Sequence, residues 1–401
     1  MKTLLALAII ISTVFFPLSQ TDQENWIELS AVEAVYIFGE QITFSADMLS
    51  EKDLQEAYLF LTPLQQDTEV MKVPLDQPAR IDFNRDLIES PLRAFSEIEY
   101  WYRLIAVDGS QMDSPKFTFF YGDNRFEWQT LSDDTFEVFW HNRDLEFGQN
   151  TLNVAHTGLD SAGKYIPSPS LNNSSKEKIK IYVYENAKDL QTALKLSPTS
   201  SWVAGHASPE LSTILISIPS GLDQQLELER QIPHEITHIL QYRFAGNRFS
   251  DLPIWWVEGT ASLSELYPNA DYQRVLDNAV QTETLLPLQS MATTFPRDAS
   301  RAFLAYAQSA SFTNYLYQNY GKENVQRLME KYLDGMGLEE GAQEVLAENL
   351  SQVEQNWQQE ELNVNIGQLA WKNLAPYLLL FLLILVPPVS IGLRRSASRP
   401  A

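Results

Sequence analysis

The chain has 401 residues, a formal net charge of −23 at pH 7 and no cysteine. Without cysteine, the protein has no disulfide bond, no thiol nucleophile and no cysteine metal ligand. The acidic balance argues against a nucleic-acid partner, because phosphate binding needs clustered lysine and arginine. At about 150 residues per domain, the length predicts two or three domains.

Residues 1–20 are typical of an export signal or of an uncleaved N-terminal anchor. Met1 and Lys2 precede an uncharged apolar run from Leu4 to Pro17, which is the arrangement of a signal peptide. The segment is too short to be a comfortable membrane span. It indicates that the rest of the chain is exported.

Residues 21–124 are predicted to form an immunoglobulin-like β-sandwich. Short segments here alternate apolar and polar side chains with period two, as half-buried strands do, and none has helical periodicity. The hallmark cysteines of immunoglobulin domains are absent, so the prediction depends on the strand pattern alone. The clearest strands are residues 42–46, 97–104 and 116–121.

Residues 125–362 are predicted to form a catalytic unit of mixed α+β class. Strands are expected at 136–140, 178–183 and 212–218, where apolar β-branched residues are dense, and the first of these is expected to begin the unit. A helix is expected at 151–158. Farther along the chain, helical periodicity predicts helices at 302–319, 325–333, 340–347 and 350–362.

The most informative motif is the run from His234 to His238, which reads His-Glu-Ile-Thr-His. Residues four apart lie on one face of a helix, so both imidazoles can bind one ion while Glu235 lies beside it. A zinc ion with three protein ligands keeps a fourth position for water and lowers the pKa of that water to about 7. Glu235 is then the general base that takes the proton of this water and passes it to the leaving amine.

A third ligand is expected from the segment Trp255–Gly259, in which Glu258 follows His238 by twenty positions. The first helix is predicted to end near Gly246 and a returning helix to begin near Ile254, which brings Glu258 against the two histidines. Pro233 conflicts with a helix interior, because it removes a hydrogen bond at a cost of about 3 kcal/mol. Either the helix begins close to Ile232, or an earlier turn meets it at a kink.

These residues resemble the gluzincin metallopeptidases, and in particular the peptidase MA-like families, which carry HExxH followed by W-x-x-E-G. The resemblance runs from about Lys178 to Trp357 and includes Ala305–Ser309 and Tyr320-Gly321. It implies a small mixed sheet followed by a helical subdomain, with the site between them.

The resemblance also implies roles for single residues. His234, His238 and Glu258 become the zinc ligands, Glu235 the base, and Tyr306 the residue that stabilises the oxyanion, although Tyr306 could instead pack with Phe303 and Phe312. Thermolysin-type enzymes carry an acid four residues after the glutamate ligand, where this chain has Ser262. Glu265 or a backbone carbonyl is expected to support the ligands in its place.

In gluzincins, an edge strand above the zinc ion binds the substrate backbone as an additional strand. The resemblance assigns this part to the strand at 212–218 and makes residues 204–217 the candidate substrate platform. His206 lies in this segment, either as a substrate contact or as a solvated turn residue. His141 and His156 have no metal-ligand spacing and are expected to be structural.

The C-terminal segment predicts attachment to a membrane. Residues 363–373 are a polar tether. Residues 374–393 contain no charged side chain, and this segment is long enough to span a core of about 30 Å. Pro387-Pro388 interrupts it, so that either the helix is broken near its inner end or the segment is only a C-terminal sorting signal. The basic tail, residues 394–401, is expected in the cytoplasm, which places the catalytic unit outside the cell membrane. An exported protein without disulfides fits a bacterial source.

Together these features predict a membrane-anchored, extracytoplasmic zinc metallopeptidase that acts on a peptide or protein substrate. The sequence indicates no oligomeric state. Two alternatives stay open: a zinc hydrolase of a non-peptide substrate, and a catalytically inactive binding protein at the cell surface. The second is disfavoured because a protein without activity has no reason to keep Glu235, which binds no metal.

Overall fold

The computed structural model describes residues 26–64, 66–75, 80–166, 177–195, 205–364, 374–381 and 384. The chain divides into two compact units, Met1–Arg125 and Phe126–Ala401. The predicted export segment, the tail and most of the tether lie outside the described residues. The architecture is mixed α+β, with sheets in the N-terminal unit and many helices in the C-terminal unit, as the sequence predicts.

Two antiparallel sheets form the N-terminal unit. One sheet has the order β1-β2-β5, and the other has the order β4-β3-β6, with β7 and β8 both paired to the far edge of β6. The strands are β1 (Ile27–Ile37), β2 (Gln41–Ser50), β3 (Leu54–Pro63), β4 (Glu69–Val73), β5 (Arg80–Asp86), β6 (Ser96–Ala106), β7 (Gln111–Asp113) and β8 (Phe117–Tyr121).

The buried faces of these sheets meet through aromatic side chains. The ring of Phe44 in β2 lies 5.1 Å from that of Tyr100 in β6 and 6.2 Å from that of Phe119 in β8, both edge to face. Burial alternates along β3 and β6, as expected for strands with one face in the core. A β-sandwich is thus present, and its relation to immunoglobulin domains stays a prediction.

The C-terminal unit begins with a five-stranded mixed sheet of order β12-β13-β11-β10-β9. Its three central strands are parallel, and an antiparallel strand lies at each edge. The expectation that the strand at 136–140 begins the unit is wrong, because β9 precedes it in the chain. The strands are β9 (Gln129–Ser132), β10 (Phe136–Trp140), β11 (Ile179–Tyr184), β12 (Gly205–Ser208) and β13 (Thr213–Ser217).

The strand predicted at 212–218 is present as β13, but the expectation that it forms the sheet edge is wrong. The short strand β12 pairs with it antiparallel and takes the edge position. His206 therefore lies on an exposed edge strand and not in a turn. The sequence Gly-His-Ala-Ser is too short for period-two alternation to identify it as a strand.

Helices cover the sheet and build the rest of the unit. Helix α1 starts at Leu145 and not near residue 151, because Asp144 caps it by accepting from the Phe147 amide at 3.0 Å. The remaining helices are α2 (Ala187–Leu194), α3 (Gln224–Ala245), α4 (Ile254–Ser264), α5 (Asp271–Gln281), α6 (Leu288–Met291), α7 (Ala299–Leu333), α8 (Leu338–Leu346) and α9 (Leu350–Glu360), with α1 ending at Ala162.

The predicted membrane span is described only at residues 374–381, which are helical, and at residue 384. Among the described residues, the structure contains no helix with the length and apolar character needed to cross a bilayer. The rest of the span, residues 382, 383 and 385–393, lies outside this part of the chain.

Candidate metal centre

Helix α3 carries the two histidines and contains Pro233 nine residues after its start. Of the two possibilities raised by the sequence, the helix that begins close to Ile232 is therefore wrong. Proline cannot donate to the Glu229 carbonyl, but the Leu266 amide donates to that carbonyl at 2.9 Å instead. The Pro233 ring fills the space beside Gly158 of α1, where an added Cβ atom would lie 2.9 Å from the proline Cγ. Pro233 is thus tolerated inside α3, because the carbonyl that it leaves without a donor is hydrogen-bonded and its ring is packed.

The helix pair forms as predicted. Helix α3 ends at Ala245, and Gly246 follows with a φ of 60° and a ψ of −141°, a conformation that glycine adopts most readily. A 3-10 segment, Gly246–Asp251, leads to α4 at Ile254. Glu258 lies one turn into α4, on the side that faces α3.

This arrangement brings together three potential metal ligands, His234, His238 and Glu258, with ligand atoms within 4.8 Å of one another. The Oε2 atom of Glu258 lies 3.4 Å from Nε2 of His234 and 3.8 Å from Nε2 of His238. Ligand atoms at 2.0–2.1 Å from a tetrahedral zinc ion lie about 3.3 Å apart. The site therefore fits a zinc-sized ion with only small movement of the side chains.

The opposite nitrogen of each imidazole has an acceptor. His234 Nδ1 lies 3.2 Å from Oε1 of Glu265, and His238 Nδ1 lies 3.0 Å from Oε1 of Gln241. The amide nitrogen of Gln241 donates to the Val257 carbonyl at 2.9 Å, so its oxygen faces the histidine. Both Nδ1 atoms accordingly carry a proton, and both Nε2 atoms are directed to the ligand side, where an imidazole that is neutral would offer its lone pair.

The charges of the surrounding side chains favour a protonated His234 beside an ionised Glu258. Burial lowers the pKa of His234, but the hydrogen-bonded carboxylates of Glu258 and Glu265 and the nearby Glu235 hold that pKa well above its usual value. Burial raises the pKa of Glu258, but the imidazoles of His238 and His234 hold it below the usual value. Three carboxylates around two imidazoles thus attract positive charge.

Glu235 is 7% exposed and points to the edge of the sheet. A Cβ atom added to Gly205 of β12 would lie 2.6 Å from Oε1 of Glu235. The edge strand can approach the carboxylate this closely only because residue 205 has no side chain. Glu235 thus lies between the candidate metal ligands and β12.

Tyr306 borders the candidate metal site. The ring of Tyr306 in α7 lies 6.5 Å from that of His234 and 5.1 Å from that of Phe295. Phe303 and Phe312, the packing partners considered from the sequence, have ring contacts with Tyr272 and Trp255 respectively. Burial raises the pKa of the Tyr306 hydroxyl, and the carboxylates of Glu258 and Glu235 raise it further. This hydroxyl therefore stays protonated as a hydrogen-bond donor at neutral pH.

Sequence reasoning missed Gln241 and Tyr272. Gln241 follows His238 by three positions and lies on the same helix face, so a buried glutamine there was a readable signal. Tyr272 is the second residue of α5, and its pKa is raised first by burial and then by the charges of Glu265 and Glu258. No spacing rule links it to the motif. His206 is exposed on β12, and neither His141 nor His156 belongs to the ligand group.

The comparisons with known proteins identify one family. The model of the peptidase MA superfamily matches residues 171–363, a span that contains all three candidate ligands and Glu235. No curated protein matches the chain.

Solved structures give only partial likenesses. OgpA from Akkermansia muciniphila is 19% identical with a TM-score of 0.21, and the similarity covers 24% of this chain and 28% of that one. A structure described as a myokine is 11% identical with a TM-score of 0.20, covering 23% of this chain and 95% of that one. A β-1,3-glucan-binding domain of carbohydrate-binding module family 56 is 16% identical with a TM-score of 0.17, covering 23% and 96%. The chain thus spans less than a third of the length of OgpA.

Proposed function

Since the chain belongs, through residues 171–363, to the peptidase MA superfamily, we propose that it is a zinc metallopeptidase. The observation that carries the proposal is the grouping of His234, His238 and Glu258 beside the buried carboxylate of Glu235. Zinc-dependent amide hydrolysis requires three protein ligands for one ion. It also requires a carboxylate that does not bind the ion and can act as the base.

His234, His238 and Glu258 would hold the ion. A zinc ion there would polarise the substrate carbonyl and acidify a water molecule to a pKa of about 7. Glu265 and Gln241 hold the Nδ1 atoms of the two imidazoles, so the Nε2 atoms would be free to bind the ion. Such outer contacts typically change metal affinity about 10–100-fold.

Glu235 is the general base of the proposed reaction. It accepts a proton from the attacking water and gives a proton to the amine of the departing peptide, which preserves the proton count over one cycle. Its place between the ligand group and β12 puts it next to any chain that lies along the sheet edge. Tyr306 is the donor proposed to stabilise the oxyanion, since its hydroxyl is held protonated beside the same carboxylates.

The edge strand β12 supports a peptide substrate. Strands at the edge of a sheet present backbone groups to which an extended peptide can hydrogen-bond. Gly205–Ser208, rather than β13, is accordingly the proposed substrate platform, and the exposed His206 is available there as a side-chain contact. Ala204, the first residue of the platform expected from the sequence, lies outside the described residues.

Attachment to a membrane through residues 374–393, with the catalytic unit outside the cell, stays a proposal from the sequence. Fractionation of cells that express the full chain, followed by external protease treatment, tests it. Recovery of the protein in the soluble fraction would contradict it.

Metal analysis and peptide cleavage test the main proposal together. We expect the purified full chain to contain one zinc ion and to cut an unbiased peptide library, and a chelator to abolish the cuts. Glu235→Gln should keep the metal and lower the turnover number by about 10²–10⁴-fold, while Glu258→Ala should lose both metal and activity. Zinc without any peptide cleavage would favour a non-peptide hydrolase, and absence of zinc would favour an inactive binding protein.

A further inference from the structure

A cavity of about 350 Å³ lies at the N-terminal end of α3. Its walls are Ser217 at the end of β13, Ala187 at the start of α2, the loop of residues 219–223, and Gln224, Glu227 and Gln231 of α3. The volume is at the lower end of the range for ligand-binding pockets, about 300–1,000 Å³. One substrate side chain is therefore a suitable occupant.

The cavity is adjacent to the proposed reaction centre. Gln231 precedes His234 by three positions and Glu235 by four, so these side chains occupy the same face of α3 within about one turn, or 6 Å. On the sheet side, Gly205, which lies against Glu235, pairs with Ile216, the neighbour of Ser217. A peptide bond held at Glu235 would thus place an adjacent side chain at the cavity.

Two buried oxygen atoms in the cavity wall lack a partner. Among the described residues, neither Oγ of Ser217 nor Oε1 of Gln231 has a hydrogen bond, and Ser217 is 4% exposed. The amide nitrogen of Gln231 already donates to Oε2 of Glu227 at 2.8 Å, so its oxygen is left as an acceptor. Buried acceptors without donors are unfavourable unless a ligand supplies the donors.

The charge of the cavity wall is negative. Asp223 and Glu227 contribute two carboxylates, and no lysine or arginine belongs to the described lining. The partial charge at the helix N-terminus, about +0.5, is smaller than these two negative charges. The nearby Arg143 is outside the lining. Its guanidinium donates to the Ile218 carbonyl and to Oε1 of Gln224, and it lies 3.9 Å from the Glu185 carboxylate, which offsets its positive charge.

We propose that this cavity is a specificity subsite for a lysine or arginine side chain of the substrate, next to the bond that is cut. A cationic head group carries several N–H donors and no acceptor, so it matches the unpartnered oxygens of Ser217 and Gln231 and the carboxylate of Glu227. The inference rests on the proposed peptidase activity. It adds the class of side chain that this peptidase selects.

Matched peptides test the inference. Cut sites found with the library would be remade with lysine, arginine, norleucine or glutamate at each of the two positions on either side of the cut. The wild-type zinc-loaded chain, Glu227→Gln and the control Glu229→Gln would be compared by kcat/KM. Glu229 lies on the same helix but outside the cavity lining, so its variant makes the same charge change elsewhere.

At one position, we expect the wild type to prefer lysine or arginine over norleucine by about tenfold or more, because norleucine brings no donor to the buried oxygens of Ser217 and Gln231 and no positive charge to Glu227. Glu227→Gln should reduce this ratio to below about threefold, Glu229→Gln should keep it, and Glu227→Lys should favour glutamate. Cleavage without a basic preference, or a preference unchanged in Glu227→Gln, would overturn the subsite alone. Absence of all cleavage would overturn the proposed function and the subsite with it.

Discussion

The amide of Leu266 donates to the carbonyl of Glu229 at 2.9 Å, and this bond fills the position that Pro233 leaves open in α3. The bond ties the end of α4 to the turn of α3 that precedes His234. Glu265, the residue before Leu266, is thereby held 3.2 Å from His234. A proline that is unfavourable in a helix thus creates the attachment point for a group that orients a candidate metal ligand.

Gln241 should support metal binding without contacting the ion. Gln241→Leu removes the acceptor of His238 Nδ1 and the donor to the Val257 carbonyl, so zinc affinity should fall by about 10–100-fold. Competition with a chromophoric chelator measures this change. The control is Gln308→Leu, which removes another buried glutamine that bonds only to the backbone of Leu286. Equal affinities for both variants and the wild type would refute the role of Gln241.

Gly259 should be required for the packing of α4 on α7. A Cβ atom at this position would lie 2.3 Å from the Ser309 carbonyl oxygen and 2.3 Å from Oγ1 of Thr313. Gly259→Ala should lower the free energy of unfolding by about 1–3 kcal/mol or more, and zinc affinity should fall because Glu258 is its neighbour. Urea unfolding measures the first effect. Gly337→Ala, where a Cβ atom meets open space, should change stability by less than about 1 kcal/mol.

The motif and its helix pair were readable from the sequence, because local rules determine them. Residues four apart share a helix face, and Gly246 and Pro253 bound the connection between α3 and α4. The requirement for glycine at position 259 could not be predicted from the sequence, because the atoms that exclude a side chain there belong to α7, about fifty residues away. The sequence predicted that Glu265 or a backbone carbonyl supports the ligands, and in the structure Glu265 lies beside the imidazole of His234.

Other elements were missed where local pattern and structure disagree. Strand β1 was not predicted, because a bulge between Ser30 and Glu33, with Ala31 at a φ of 47°, breaks its period-two alternation. The edge strand β12 is only four residues long. Its role depends on pairing with β13, which is a tertiary contact that no spacing in the sequence reveals.

Tyr306 and Tyr272 should differ in their effect on turnover. Tyr306→Phe removes a protonated hydroxyl beside Glu258 and Glu235, so kcat should fall by about 10²–10³-fold with zinc content unchanged. Tyr272→Phe keeps the ring contact with Phe303 and should change kcat by less than about threefold. Steady-state kinetics on a cleaved peptide would show the difference. A larger loss in Tyr272→Phe would transfer the oxyanion role to that residue.

The stability of the metal-free protein should fall as the pH rises above neutrality. The folded-state pKa of His234 lies well above its value of about 6.5 in an unfolded chain, so its contribution is complete below about pH 6.5 and is lost as the pH rises through the folded pKa. Between those two values, the free energy of unfolding should decrease by about 1.4 kcal/mol per pH unit from this group. Glu258 affects stability at acid pH. Because its pKa is lowered in the folded state, it stabilises the fold above about pH 4.5, and this contribution is lost at lower pH.

Bound zinc should reverse the loss of stability that the metal-free protein is expected to show above neutral pH. A metal ion binds the unprotonated imidazole, so binding must release the proton of His234 and must weaken as the pH falls. Thermal unfolding of the metal-free and zinc-loaded proteins between pH 6 and pH 9 would compare the two forms. His234→Gln should flatten the metal-free profile and abolish the effect of zinc, because it removes both the titrating group and a ligand. A metal-free protein that is equally stable at pH 6 and pH 9 would contradict the charge balance described for the site.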